Sequence, residues 1–340
     1  MKHINQLSKK AFSVIIFITV AVISLNAQNY LEEYWRQPVR YIDDQSREAL
    51  REAGEILRLN PPATTNNIQR RLALTTIDQV VHGYSNPDTV TALLDFLYER
   101  MQHVNELLSE PLNNDSLQII KMYNAGFIVR DRKVTIAVDI TSKNGTLVPD
   151  KLMRHIVEQC DILFVTHSHS DHCGKNIIDM FLADGKPVVA DDKVYPNNKS
   201  ITHFRNIRNF SINLPNGVIT VNSLPGHQDD LNNNCYIISL PCGKTFAHLG
   251  DQQDEDLDWM KGIYKTLPVI DALIINCWTP RFTDVVGCFN PHLLISSHEN
   301  EFSHSIDHRE AYWLTFYKYD NVFRLKIPYV VMTWGEKLSL

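Results

Sequence analysis

The sequence has 340 residues, of which 44% are hydrophobic and 21% charged, and its formal net charge is −6 at pH 7. This composition is that of a globular protein, long enough for one large domain with a smaller region beside it, and it excludes a low-complexity chain. The acidic balance argues against a protein that binds nucleic acid through a basic face.

Residues 1–27 have the pattern of a secretory signal peptide. Lys2, Lys9 and Lys10 precede an apolar run at 11–25, and the small residue Ala27 offers a cleavage point. The run is shorter than the about 20 apolar residues of a membrane-spanning helix. We therefore expect export to the periplasm or beyond the cell. An uncleaved N-terminal anchor is the alternative, and only that alternative would associate the protein with a membrane.

Residues 28–116 are predicted to form a helical region. Apolar side chains recur at helical spacing in 46–59, 67–81 and 86–108. The third helix is predicted to start with Asn86 as its cap and Pro87 in its first turn. Nothing in this region has the pattern of a catalytic motif. It could cover the site, bind a partner or shape a substrate cleft.

Residues 117–340 change to short strands that alternate with helices. The predicted strands cover 117–122, 127–130, 134–140, 162–166, 187–190, 218–224, 235–240, 245–249, 272–277, 293–297 and 329–334. The predicted helices cover 148–159, 175–183, 254–266 and 309–319. This interleaving predicts sheets that are covered by helices. All six cysteines lie in this part of the chain, and their spacing leaves any disulfide pairing open.

A dense group of metal-ligand side chains follows the predicted strand 162–166. His167, His169, Asp171 and His172 all occur directly after its apolar run. Imidazoles combined with a carboxylate suit zinc or a similar metal better than calcium or magnesium. A rigid strand that delivers ligands into a loop is a usual way to position a site. The sequence therefore predicts a metal site at the end of this strand.

Further candidate ligands occur where other predicted strands end. His227, Asp251 and His298 each follow a later strand, and Asp139 closes the strand at 134–140. A site with two metal ions needs more ligands than the first loop provides. We expect these residues to complete it.

This ordered set of residues resembles the metallo-β-lactamase superfamily over about 117–340. The resemblance implies an α/β (α+β) fold, a four-layer αβ/βα sandwich with the metals at one edge, and it leaves the helical region uncovered. It also implies two divalent metal ions, with Zn²⁺ as the preferred assignment and Mn²⁺ as the alternative. The implied ligands are His167, His169 and His227 for the first ion, and Asp171, His172 and His298 for the second, with Asp251 bridging the two.

The resemblance implies a metal-dependent hydrolase that uses a metal-bridging hydroxide on an ester, lactone or phosphodiester bond, and the signal-peptide pattern predicts that this hydrolase is exported. Asp251 stands where many true β-lactamases carry Cys, which disfavours antibiotic hydrolysis. His169 stands where the oxygen-reducing di-iron branch carries an acid, which disfavours redox chemistry. The segment around His248 and Asp251 is most similar to the lactonase and phospholipase-D-like phosphodiesterase branch. We expect a small-molecule or lipid substrate and no nucleic acid.

Several residues beside the ligands have candidate roles. Asp171 and Asp251 are interpreted as catalytic as well as ligating. His304 or His308 could be a proton donor to the leaving group, or both could have surface or capping roles. His248 is interpreted as a residue that orients a ligand. Arg281 could hold an anionic group or lie on the surface. The alternative functions are a nuclease of the same fold, a β-lactam hydrolase and a non-catalytic metal-binding scaffold.

Overall fold

The computed structural model describes residues 33–65, 67–112, 115–204, 208–253 and 257–340. The predicted signal peptide lies outside these residues. Among the helices of the described ranges, we find none with the length and hydropathy of a membrane span. The chain divides into two compact units, one up to Glu48 and one that begins at Ala49 and contains both β-sheets.

Seven α-helices occur in the described residues. They are α1 (Pro38–Leu59), α2 (Ile68–His82), α3 (Thr91–Ser109), α4 (Asp150–Glu158), α5 (Lys175–Ala183), α6 (Phe282–Phe289) and α7 (Tyr312–Tyr317). Short 3₁₀ turns cover Pro87–Thr89, Ile263–Lys265 and Ile306–His308, and a π-helical turn covers Lys318–Val322.

Fourteen strands of the described residues form two sheets of seven. The first sheet has the order β14-β1-β2-β3-β4-β5-β6 and the second has the order β13-β12-β11-β10-β9-β8-β7. The strands of the first sheet are β1 (Gln118–Lys121), β2 (Phe127–Arg130), β3 (Thr135–Val138), β4 (Ile162–Val165), β5 (Val188–Asp191), β6 (Ile201–Phe204) and β14 (Lys337–Ser339). Those of the second are β7 (Arg208–Leu214), β8 (Gly217–Gln228), β9 (Leu231–Ser239), β10 (Thr245–His248), β11 (Ala272–Asn276), β12 (Leu294–Ser297) and β13 (Tyr329–Val330).

The two sheets pack face to face over one apolar core. Phe127 and Phe164 of the first sheet share this core with Ile219, Phe246 and Ile274 of the second, and all five are fully buried. A second core joins the outer face of the first sheet to helices, and a third joins the outer face of the second sheet to α6. The predicted four-layer α/β sandwich is confirmed.

Helices α2 and α3 share a core with the first sheet. Leu74 of α2 and Leu97 of α3 belong to the same buried cluster as Ile128 of β2 and Ile156 of α4. Apolar burial contributes about 25 cal/mol per Å², so such a shared core stabilises the helices and the sheet together. This part of the predicted helical region therefore packs as a layer of the sandwich.

A buried ion pair links α2 to the C-terminal segment. The Nη1 and Nη2 atoms of Arg70 donate to the two carboxylate oxygens of Glu336 at 2.6 and 2.5 Å. Arg70 also donates to the Val331 carbonyl at 2.6 Å, and Glu336 accepts from the backbone N–H of Thr333 at 2.9 Å. The side chains of the pair are 6% and 4% exposed, so both charges depend on each other for stabilisation.

Some predicted helices begin or end elsewhere. The helix predicted from Asn86 is wrong in its first turn, because Asn86 makes no side-chain cap and Val90 is extended before α3 starts at Thr91. The predicted helix at 254–266 is also wrong over its described residues. Gly262 has a φ of 71°, which interrupts an α-helix and leaves only the short turn Ile263–Lys265.

Several strands also differ from the predictions. Strand β8 does not end at 224 but continues to Gln228, because residues 225–228 pair with β9 in an antiparallel ladder. The strand predicted at 329–334 is only two residues long, because its ladder with β12 contains only Tyr329 and Val330. Strands β6, β7 and β14 and helix α6 were not predicted. None of the six cysteines, all of which lie in the described ranges, forms a disulfide.

Candidate metal centre

The candidate ligands meet at one edge of the sandwich. Strands β3 and β4 run parallel, as do β10, β11 and β12, so their carboxyl ends lie at common edges. Asp139 follows β3, His167 follows β4, Asp251 follows β10 and His298 follows β12. His227 differs, because it lies within β8 and not after it.

Four of the predicted ligands form a tight buried group. The ligand atoms of Asp171, His172, Asp251 and His298 all lie within 4.8 Å of one another. Asp251 Oδ2 is 3.1 Å from His172 Nε2 and 3.3 Å from His298 Nε2. His298 Nε2 is also 3.1 Å from Asp171 Oδ2. One carboxylate, that of Asp251, therefore lies between two imidazoles.

An outer carboxylate orients each imidazole of this group. His172 Nδ1 is 2.8 Å from Asp139 Oδ2, and His298 Nδ1 is 3.1 Å from Glu310 Oε2. Each Nδ1–H donates to its carboxylate, which directs Nε2 toward Asp251. Histidines that bind metals almost always donate their second ring nitrogen in this way.

Thr166 fixes the orientation of His167. The Thr166 hydroxyl donates to Asp139 Oδ2 at 2.6 Å, so its oxygen must accept from His167 Nδ1 at 3.0 Å. His167 Nε2 then carries a lone pair. In the described part of the chain, His167 Nε2 and Asp251 Oδ1 are buried without a hydrogen-bond partner. Burial lowers the pKa of His167 to about 3, so this imidazole is neutral, as a metal ligand must be.

The charges of the group are strongly coupled. Burial alone would lower the pKa of His172, but the carboxylates of Asp251, Asp171 and Asp139 outweigh burial and raise it to about 10. Burial opposes ionisation of Asp171 and Asp251 as well, yet His172 and His298 hold the pKa values of both carboxyls below their usual range. Imidazole nitrogens, aspartate oxygens and two unpartnered buried acceptors form a donor set that fits a divalent ion such as Zn²⁺.

The residues predicted for the first metal ion are less closely assembled. The His169 ring centroid lies 4.8 Å from that of His167, and its side chain is half-buried. The His227 side chain is exposed, while its backbone N–H donates to Gln252 Oε1 at 3.0 Å. Among the described residues, His167, His169 and His227 do not bring three ligand atoms within 4.8 Å of one another.

His248 supports the loop that carries Asp251. Its Nε2–H donates to the Ala125 carbonyl at 2.8 Å, and its Nδ1 accepts from the Gly250 backbone N–H at 3.1 Å. Both ring nitrogens are used, so His248 has no lone pair for a metal. Gly250 has a φ of 56°, and a Cβ there would lie 2.2 Å from Asn233 Oδ1, so only glycine fits this turn.

Of the remaining candidate residues, His304 lies close to the buried group, whereas His308 and Arg281 are exposed. The His304 ring lies 5.3 Å from the His298 ring, and one His304 nitrogen is within 4.8 Å of ligand atoms of His298 and Glu310. His308 is exposed. Arg281 is also exposed and donates to Asp284 at 3.0 and 2.8 Å, on the first turn of α6. Its guanidinium therefore binds a neighbouring carboxylate.

A cavity of 650 Å³ opens over the metal-ligand group. Asp251 and His298 contribute to its lining, together with the segment 303–308. Amide side chains and Trp278 line it as well. A cavity of this size takes a small organic molecule.

Comparison with solved structures supports the same architecture. Igni18, a metallo hydrolase from the archaeon Ignicoccus hospitalis, matches 66% of this chain and 98% of its own with 18% identity and a TM-score of 0.51. The two proteins share a fold, which in this chain is the four-layer sandwich with two facing sheets. An isothiocyanate hydrolase from Delia radicum gut bacteria matches 66% of this chain and 98% of its own, with 13% identity and a TM-score of 0.48.

A Thermotoga maritima protein that is assigned to the metallo-β-lactamase superfamily as a Zn-dependent hydrolase matches 57% of this chain and 81% of its own, with 14% identity and a TM-score of 0.36. No protein-family profile and no curated protein matches the sequence.

Three residues that contact the candidate metal ligands were not predicted from the sequence. Glu310 contacts His298 as described above, Asn124 Nδ2 donates to Asp171 Oδ2 at 3.1 Å, and Gln228 Nε2 donates to Asp251 Oδ2 at 3.1 Å. Gln228 directly follows the predicted ligand His227, and this position in the sequence could have indicated it. Asn124 and Glu310 are brought to the site only by the fold.

Replacing Glu310 by Gln should weaken metal binding about 10- to 100-fold. The amide keeps the shape of the side chain but lacks the charge that makes His298 a strong donor and holds its ring. Competition with a chromogenic chelator would measure the affinity. Asp307→Asn, at the exposed rim of the cavity, is the matched control and should retain full affinity. Equal affinity of Glu310→Gln and the wild type would contradict this role of Glu310.

Proposed function

We propose that this protein is a metal-dependent hydrolase that holds two divalent ions. Zn²⁺ is the preferred assignment, and Mn²⁺ is the alternative. The buried group of Asp171, His172, Asp251 and His298 at the cavity carries this proposal. Divalent ions bound there would lower the pKa of water and polarise the scissile bond at neutral pH. His167, His169 and His227 would complete the set for a second ion.

The protein's own residues would hold the donors in place. Asp139 and Glu310 keep the Nδ1 protons of His172 and His298, so that both Nε2 atoms remain directed at Asp251. This fixed arrangement limits the reorganisation needed during the reaction. Asp171, which is buried against His298, is the candidate for moving a proton within the site.

His304 is the candidate for passing a proton to the leaving group. Its side chain is half-buried and lines the cavity beside His298. Its Nδ1 lies 3.3 Å from the His308 carbonyl, so Nδ1–H can donate there while Nε2 serves the substrate. A positioned side chain of this kind typically contributes a factor of about 10²–10⁴ in rate.

An ester, lactone or phosphodiester is the proposed substrate class. The formal charge of −6 disfavours the nuclease alternative. The intact set of buried donors disfavours a scaffold that has lost catalysis. We also propose that the protein is exported, on the signal-peptide pattern of residues 1–27.

Removal of the metal tests this function directly. Protein treated with a chelator should hydrolyse no member of a panel of chromogenic esters, lactones, phosphodiesters and β-lactams, and Zn²⁺ or Mn²⁺ should restore turnover of at least one. The His169→Ala variant should not regain turnover when the metal is added back. His155→Ala, on the exposed face of α4, is the matched control and should recover fully. Undiminished turnover by the chelated protein would refute the proposal.

A further inference from the structure

The cavity has an unusual charge pattern. Its part next to Trp278 and Asp307 is called the outer cavity below. The cavity as a whole is lined by the amides of Gln228, Gln252, Gln253 and Asn276, by the carboxylates of Asp251, Asp307 and Glu310, and by the imidazoles of His298, His304 and His308. Among the described residues that line it, none is Lys or Arg. A negatively charged group beside Trp278 and Asp307 would therefore meet no lysine or arginine among the described residues that line the cavity.

Basic residues near the cavity are bound to groups of the protein. Arg281 is paired with Asp284, as described above. Arg309 is buried and donates to four backbone carbonyls at 2.7 to 3.1 Å. Lys318 Nζ lies 3.4 Å from the centroid of the Trp278 ring and donates to a backbone carbonyl at 3.3 Å. Each of these cations serves the local structure and does not line the cavity.

Trp278 provides a flat apolar surface at the same place. It follows β11, and its backbone N–H donates to Asn276 Oδ1 at 2.9 Å, which fixes the turn. The residue is 44% exposed although it lines the cavity. An exposed indole that is anchored in this way can stack with a planar or apolar group.

We propose that the outer cavity binds an uncharged planar or apolar group of the substrate against Trp278 and rejects an anionic group there. This inference rests on the proposed function and narrows its substrate class. An anionic group would lose water and lie near Asp307 with no lysine or arginine of the cavity lining beside it, so that only the metal ions proposed at the base of the cavity would attract it, whereas a neutral group avoids this loss of hydration. Neutral aromatic or alkyl esters and lactones fit these conditions better than substrates with a charged headgroup.

Two esters that differ in one charge test the proposal. The metal-loaded protein would be assayed with 1-naphthyl acetate and with its ring-sulfonated analogue, and each kcat/KM would be divided by the rate constant for hydrolysis by hydroxide ion. This division removes the difference in leaving-group reactivity. We expect the neutral ester to be favoured by about tenfold or more. Equal or higher normalised kcat/KM for the sulfonated ester would overturn the proposal.

Two tryptophan variants locate the effect. Trp278→Ala should raise KM for 1-naphthyl acetate several-fold, whereas Trp278→Phe should keep most of the wild-type value because a flat ring remains. Trp313→Ala, on α7, is the matched control: Trp313 is 52% exposed and does not line the cavity. An unchanged KM in Trp278→Ala, with its thermal unfolding intact, would overturn the assigned contact.

The two proposals fail in different ways. If the metal-loaded protein hydrolyses no ester, lactone, phosphodiester or β-lactam, the proposed hydrolase function is wrong. If it hydrolyses the neutral and the sulfonated ester alike, only the inference about the outer cavity is wrong.

Discussion

Replacing Asp251 by Asn should abolish metal-dependent hydrolysis and remove most of the bound metal. Asp251 Oδ2 lies 3.1 and 3.3 Å from the two imidazole Nε2 atoms of His172 and His298, and Oδ1 is buried without a partner among the described residues. Asparagine has one side-chain oxygen in place of two and no negative charge, so it would hold divalent cations far more weakly. Metal content by mass spectrometry and turnover of the best substrate would be measured together.

A surface aspartate provides the control for Asp251. Asp184 forms an ion pair with Arg154, and their side chains are 18% and 36% exposed. A partly exposed pair of this kind contributes about 0–1 kcal/mol, so Asp184→Asn should retain both metal and activity. The role of Asp251 would be refuted by an Asp251→Asn protein that keeps its metal and its turnover.

Replacing Glu336 by Gln should lower the free energy of unfolding by about 3–5 kcal/mol. The variant leaves Arg70 buried with an uncompensated charge and turns an N–H donor toward a guanidinium that can only donate. Because α2 shares its core with the first sheet, the loss should appear in the main cooperative transition. Chemical denaturation followed by circular dichroism would measure it.

An exposed ion pair provides the comparison for Glu336. Arg58 and Glu55 on α1 are 2.9 Å apart, with side chains 68% and 54% exposed. Glu55→Gln should therefore change the free energy of unfolding by about 1 kcal/mol or less. If the two variants lost the same stability, the buried pair would not link α2 to the C-terminal segment as described.

Features coded by neighbouring residues were predictable from the sequence. Helix α5 has the predicted bounds, and strand β4 differs from its prediction by one residue. Polar residues on both sides of a short apolar run mark where such a buried element begins and ends. The loop after β4 was recognised for the same reason, since its four candidate ligands lie within six residues, and two of them, Asp171 and His172, belong to the buried group. Asp251 and His298 were found because each follows a strongly apolar strand.

Features that depend on distant pairing were not predictable in this way. β8 continues through Pro225 and Gly226, which usually end a strand, because the facing residues of β9 supply its hydrogen bonds. Glu310 reaches His298 through an isolated bridge between Glu299 and Glu310, and nothing local marks it. Tertiary contacts, which no short window of sequence contains, decide both.

One titration tests the central claim, that this buried histidine and aspartate group binds metal and that the metal drives hydrolysis. Zn²⁺ would be added in steps to the metal-free full-length protein while turnover of 1-naphthyl acetate or the best panel substrate is followed. We expect no turnover at the start and a rise that saturates near two ions per chain. Full turnover before any Zn²⁺ is added, or no dependence on Zn²⁺ or Mn²⁺ at any ratio, would contradict this account.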